Sequence, residues 1–232
     1  MRKQIFSAVF GALALSVAAN ADVIATTGAS GQTPDSLSIS GLTLLASETV
    51  SLNSLTFTGT LNAAVFSGNN IFCPANNCLT FAYQVTDTAA AGAGTGVIET
   101  LTASSFGGLL TDIGDETLSS AFIGFTAGGV APYTVGRSAA GNGSVIDFDY
   151  PDPPVVLGPG TTTNLLIIQT NAVSYAVGLF SAQDGATVTD SAYEPVLAGS
   201  IQPSTPEPSS ILLMGPALIG LGFLLKRTRR QA

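Results

Sequence analysis

Histidine and tryptophan are absent from this chain, and no lysine occurs between Lys3 and Lys226. Without an imidazole or an internal ammonium, neither a Ser-His-Asp arrangement nor a Ser-Lys pair can be assembled. Charged residues make up only 9% of the 232, and their signs are segregated. Arg2 and Lys3 open the chain, Lys226, Arg227, Arg229 and Arg230 lie near its end, and Arg137 alone stands between them, whereas all fifteen acids fall from Asp22 to Glu207. One arginine against fifteen carboxylates leaves that interval at −14. A surface of that sign repels phosphate backbones and anionic headgroups, which excludes nucleic acid as a partner and favours cations as small ligands. The missing tryptophan removes the strongest sugar-stacking platform and leaves five tyrosines, Tyr83, Tyr133, Tyr150, Tyr175 and Tyr193, to contribute stacking.

What is present begins with two apolar runs. Met1-Arg2-Lys3 supplies a positive n-region, Ile5 to Ala18 an apolar stretch of fourteen residues, and Ala19-Asn20-Ala21 the small-x-small pattern that signal peptidase accepts. Residues 1–21 are therefore expected to leave as a signal peptide, with cleavage between Ala21 and Asp22. A permanent anchor is the alternative, but fourteen helical residues rise only ~21 Å against a hydrocarbon core of ~30 Å. Residues 200–210 read as a linker containing Pro206, Glu207 and Pro208, and residues 211–225 as a transmembrane helix of fifteen uncharged residues. The basic tail at 226–232 places the C-terminus in the cytoplasm and the body across the membrane. Two prolines hold the linker extended, so it can be presented to an enzyme cleft. An ordinary linker with a lasting single-pass anchor is the alternative reading, for which a span of ~22 Å is short.

Pro-Glu-Pro, an apolar span carrying Gly215, Pro216, Gly220 and Gly222, and an Arg-rich tail together resemble the PEP-CTERM sorting signal over roughly the last 28 residues. Some domain collections also label such a tail an ice-binding-protein C-terminal domain, a name for the tail and not for the body. The resemblance implies export in a Gram-negative bacterium that makes exopolysaccharide, processing by an exosortase, and an inner-membrane intermediate on the way to the envelope, surface or extracellular matrix. The Cys73 to Cys78 segment, Phe81-Ala82-Tyr83-Gln84-Val85, Ser104 to Gly108 with Thr111-Asp112, and Leu165 to Asn171 also resemble the bodies of many uncharacterised PEP-CTERM proteins. That second likeness implies no activity.

Residues 22–199 are expected to form one mainly β domain, an antiparallel β-sandwich of Ig-like or jelly-roll-like kind. Leu79, Phe81, Tyr83 and Val85 alternate with small or polar residues, as in a half-buried strand. Ile146, Phe148 and Tyr150 alternate with Asp147 and Asp149 in the same way. Leu165 to Thr170 is apolar on both faces and reads as a central strand, turning at Asn171 into Tyr175 to Ser181. Further strands are expected at Leu55 to Phe66, Val97 to Ala103 and Ala121 to Phe125, seven or eight in all, with loops at Thr86 to Gly96 and Pro151 to Gly160.

Three constellations remain. Cys73 and Cys78 bracket a turn-forming Pro74-Ala75-Asn76-Asn77 and are expected to form a disulfide worth ~2 kcal/mol, since a redox pair normally has a two-residue spacer. Asp147, Asp149 and Asp152 form one acidic group, and Asp112, Asp115 and Glu116 a second. Such carboxylates suit Ca²⁺, although neither group follows the EF-hand pattern, and a solvated acidic strand edge is the plainer reading. The expectation is thus a non-enzymatic surface or exopolysaccharide-associated structural protein with no required cofactor. Signal peptidase and exosortase are its processing partners. A Ca²⁺-assisted glycan-binding or adhesive module ranks second, and a two-carboxylate glycan hydrolase third.

Overall fold

The computed structural model describes residues 28–88, 96–151 and 153–197. The signal peptide, the linker, the apolar span, the basic tail and Asp152 lie outside the described residues. No helix among the described residues is long and apolar enough to cross a membrane.

Among the described residues, eleven strands form two sheets. The first has the order β1 (Asp35–Ser36), β6 (Thr111–Glu116), β9 (Leu165–Thr170), β4 (Cys73–Asp87), β3 (Thr58–Asn70) and β2 (Thr43–Asn53). The second runs β11 (Ala186–Val196), β10 (Ser174–Asp184), β5 (Thr100–Ala103), β8 (Ile146–Asp149) and β7 (Thr134–Arg137). Every ladder is antiparallel except the short β1–β6 pair. β2, β3 and β4 form a meander, and Gly185 at φ 57° makes the tight turn between β10 and β11.

Alternation in the strands supplies the core. Leu61, Val65, Phe81, Tyr83, Leu166 and Ile168 from the first sheet meet Leu101, Val135, Ile146, Phe148 and Phe180 from the second. Burial of such side chains contributes roughly 1.5–3 kcal/mol each. Phe81 meets Phe106 edge to face at 5.5 Å between centroids, and Tyr83 lies 5.1 Å from Phe180. A second cluster sits on the outer face of the six-stranded sheet, where Leu37, Ile39 and Phe125 cover Ala64, Phe66, Ala82, Leu165 and Ile167. This double cover explains the unbroken apolar run of β9, which lies between β6 and β4 as a central strand.

The same cover corrects the half-buried reading of Leu79 to Thr86. Thr80, Ala82 and Gln84, on the outward face, are buried as well. Gln84 donates to the carbonyls of Thr126 and Thr163 at 3.1 and 3.0 Å and accepts from the Thr126 amide at 2.7 Å, fastening the covering segment to the sheet. Ala121 to Phe125 is not a strand: Phe122 and Phe125 exchange backbone hydrogen bonds across a tight turn with Ile123 and Gly124 at φ 50° and 84°.

The cysteines form the expected disulfide, with 5.7 Å between Cα atoms. Their surroundings differ from the expected turn. The chain reverses at Ile71-Phe72, and Cys73 and Cys78 flank an irregularity inside the β3–β4 ladder, pairing with Asn70 and Gly68. The cross-link therefore closes an insertion within β4 rather than a turn ahead of it.

Candidate functional site

Strand β8 places Asp147 and Asp149 on one face by the two-residue period, opposite the buried Ile146 and Phe148. Asp149 pairs in register with Thr100 on β5 and Thr134 on β7. Both threonine hydroxyls donate to it, each at 3.2 Å, one to Oδ1 and one to Oδ2. The carboxylate is thereby held by its two neighbouring strands. It lines an open cleft of about 470 Å³ together with Glu99, Thr100, Tyr133, Thr134 and Pro151. Tyr133 is 54% exposed and is the aromatic residue of that lining.

Asp147 lies beside Gly136 of β7, and a Cβ at that glycine would come 2.5 Å from its Oδ2. Partial burial, and secondly the Asp149 charge, push the Asp147 carboxyl from 3.8 up to about 6. Two carboxylates on one strand face, one hydrogen-bonded and one reluctant to ionise, present a weakly basic and strongly anionic patch. Their chemistry suits a hydrogen-bonded hydroxyl ligand or a loosely held cation. Among the described residues no three Asp, Glu, Cys or His side chains group closely enough to hold a metal ion.

The second acidic group is not a single patch. Asp112 is buried, whereas Asp115 is half-buried and accepts from Asn164 at 2.6 Å. Burial raises the Asp115 pKa, and the Asn164 hydrogen bond partly offsets it. Glu116 accepts from the Ser38 hydroxyl at 2.9 Å and the Ile39 amide at 3.1 Å, pinning the segment that covers the sheet. A third pair spans the sheet edges: burial, and then the charge of Asp190 on β11, raises the pKa of Glu48 on β2.

Arg137 has a role that its place in the charge count gave no hint of. It shares the inward face of β7 with Val135 and is buried. Its guanidinium donates to the carbonyls of Gly143, Leu109 and Phe106 at 2.7, 2.9 and 2.5 Å and to the Thr111 hydroxyl at 2.8 Å. It ties the β5–β6 loop to the β7–β8 loop, and desolvation lowers its pKa. A buried fork bonded in this way is a structural tie.

No family model matches the chain, and no curated protein and no solved structure matches it.

Proposed function

We propose that this chain is an exported, non-enzymatic surface or exopolysaccharide-associated structural protein, sorted through a PEP-CTERM tail by an exosortase. Its body is a β-sandwich of jelly-roll or Ig-like kind. The carrying observation is the disposition of its polar groups. The one basic side chain between the ends is engaged in holding loops, Glu116 and Gln84 fasten covering segments, and Asp115 holds Asn164 at the start of the neighbouring strand. Such a body is built to persist as a folded unit. The bipolar placement of positive charge supports passage through the inner membrane with the tail retained inside. The test is cell fractionation in an exosortase-positive host and its exosortase deletion. Release to the envelope or medium only in the positive host supports the reading, and identical release from both refutes it.

The cleft around Asp149 favours a second reading, a Ca²⁺-assisted glycan-binding module. Its fixed carboxylate, two threonine hydroxyls and exposed Tyr133 ring are the groups a sugar edge and face would meet.

A further inference from the structure

We propose that a resident water molecule bridges the two sheets at one end of the core, bound by Tyr150, Asn164 and Asp115. Strand alternation turns all three inward. Asp115 on β6 shares a face with Ile113, and Asn164, just ahead of β9, shares one with Leu166 and Ile168, all core residues of the six-stranded sheet. Asp115 pairs in register with Leu166, so Asn164 lies one step beyond the ladder, bonded to Asp115 and Thr117. Tyr150, just after β8, follows Ile146 and Phe148 on the inward face of the five-stranded sheet. Burial, and then the Asp115 charge, push the Tyr150 hydroxyl well above its usual range, so the phenol lies within the field of a carboxylate from the opposite sheet.

Hydrogen-bond capacity defines what the site takes. Asn164 is 3% exposed and Tyr150 is fully buried. Asn164 Nδ2 donates to Asp115 Oδ2 at 2.6 Å and to Thr117 Oγ1 at 2.9 Å, which uses both amide hydrogens. Reversing the amide would aim its oxygen at the carboxylate, so the orientation is fixed and Oδ1 is the group left to accept. Neither that Oδ1 nor the Tyr150 hydroxyl has a hydrogen-bond partner among the described residues. Buried polar groups are as a rule paired, because one left dry forfeits its hydration without return.

One unpaired donor and one unpaired acceptor therefore lie beside a carboxylate with lone pairs to spare. Water matches that set: it accepts the Tyr150 proton and donates its own hydrogens to Asn164 Oδ1 and to Asp115. About three bonds are the usual complement of a buried water. A cation cannot accept the phenol proton, and a single carboxylate with one amide oxygen falls short of the roughly six to eight oxygens that Ca²⁺ takes. Asp115 is only half-buried, which gives the water a side on which to exchange with solvent. The bridge acts as a strut between the end of β8 and the β6–β9 pair, which belong to different sheets with no ladder between them.

The experiment is a high-resolution crystal structure of the full chain, grown with chelator present, together with urea denaturation of wild type and Tyr150→Phe. The structure should show density for one atom about 2.7–3.2 Å from Tyr150 Oη, Asn164 Oδ1 and an Asp115 oxygen. Tyr150→Phe keeps the ring and removes only the hydroxyl, so loss of its bond to the water should lower the folding equilibrium constant about fivefold. A dry, unpaired hydroxyl predicts the opposite sign, since its removal then relieves a burial cost. No density between the three groups, or a Tyr150→Phe variant as stable as wild type or more so, overturns the proposal. A direct bond from Tyr150 to Asp115 also overturns it, as does an atom held at about 2.3–2.6 Å by a shell of oxygens, the signature of a bound cation.

Discussion

Replacing Arg137 by Met keeps a long, unbranched side chain and removes every donor. Three carbonyls, those of Phe106, Leu109 and Gly143, and the Thr111 hydroxyl would lose their bonds to the guanidinium, while the Phe106 carbonyl keeps the Leu109 amide. A buried acceptor left unpaired costs about 1–3 kcal/mol, and relief of guanidinium desolvation, retained bonds and entry of water offset part of the sum. The net expectation is a loss of about 3–5 kcal/mol, a large share of the roughly 5–15 kcal/mol that holds an ordinary domain. Urea denaturation at neutral pH reads the change: with a slope near 2 kcal/mol per molar, the midpoint should fall by about 2 M. Hydrogen exchange should quicken first at residues 104–111 and 138–145. Arg137→Lys keeps the charge but not the planar fork, and should recover only part of the loss. A Met variant within about 0.5 kcal/mol of wild type, with unchanged exchange in both loops, would refute the assignment of Arg137 as a tie.

Replacing Cys73 and Cys78 together by Ser should lower the melting temperature without abolishing the fold, because the cross-link spans a sequence separation of only 5; two free thiols in the native protein would contradict the pairing. Asp147 is expected to make stability depend on pH. Its folded value near 6 exceeds the ordinary 3.8, so the stability it contributes is present below 3.8 and is lost as pH rises through 6. Glu48 and Asp115 are shifted in the same direction, so denaturation midpoints should rise on acidification from pH 7 to pH 5, and Asp147→Asn should flatten that rise. An unchanged pH profile in the Asn variant would show that Asp147 is not the source. If Asp147 and Asp149 hold Ca²⁺, millimolar Ca²⁺ should raise the melting temperature more than Na⁺ of equal ionic strength, and Asp149→Asn should abolish the difference. Equal shifts in both salts leave only a solvated acidic face.

Much of the fold was legible where a strand sees one environment per face. β8 announces itself through Ile146 and Phe148 against Asp147 and Asp149, and β9 through apolar residues on both faces. β2 and β11 were not foreseen. The first exposes Leu44 and Leu45 and carries Glu48 in alternation with Val50 and Leu52, and the second carries Asp190, Glu194 and Pro195, residues that weaken a strand reading but are tolerated at a sheet edge. β6 was hidden for a similar reason, since its acids suggested a cation group whereas the strand puts Asp112 and Asp115 in different surroundings. Ala121 to Phe125 has strand composition, yet Gly124 and the exchange of hydrogen bonds between Phe122 and Phe125 make it a turn that caps the sheet. Of the candidate sites, the disulfide was readable from spacing. The threonines that hold Asp149 were not, because they come from strands 15 and 49 residues away.

The central claim concerns delivery, and terminal analysis of the mature protein tests it most directly. Intact mass and peptide mapping of the form recovered from the surface of an exosortase-positive host should give a chain that begins at Asp22 and lacks Lys226 to Arg230. A surface form that still carries Lys226 to Arg230, or that begins at Met1, would contradict the account.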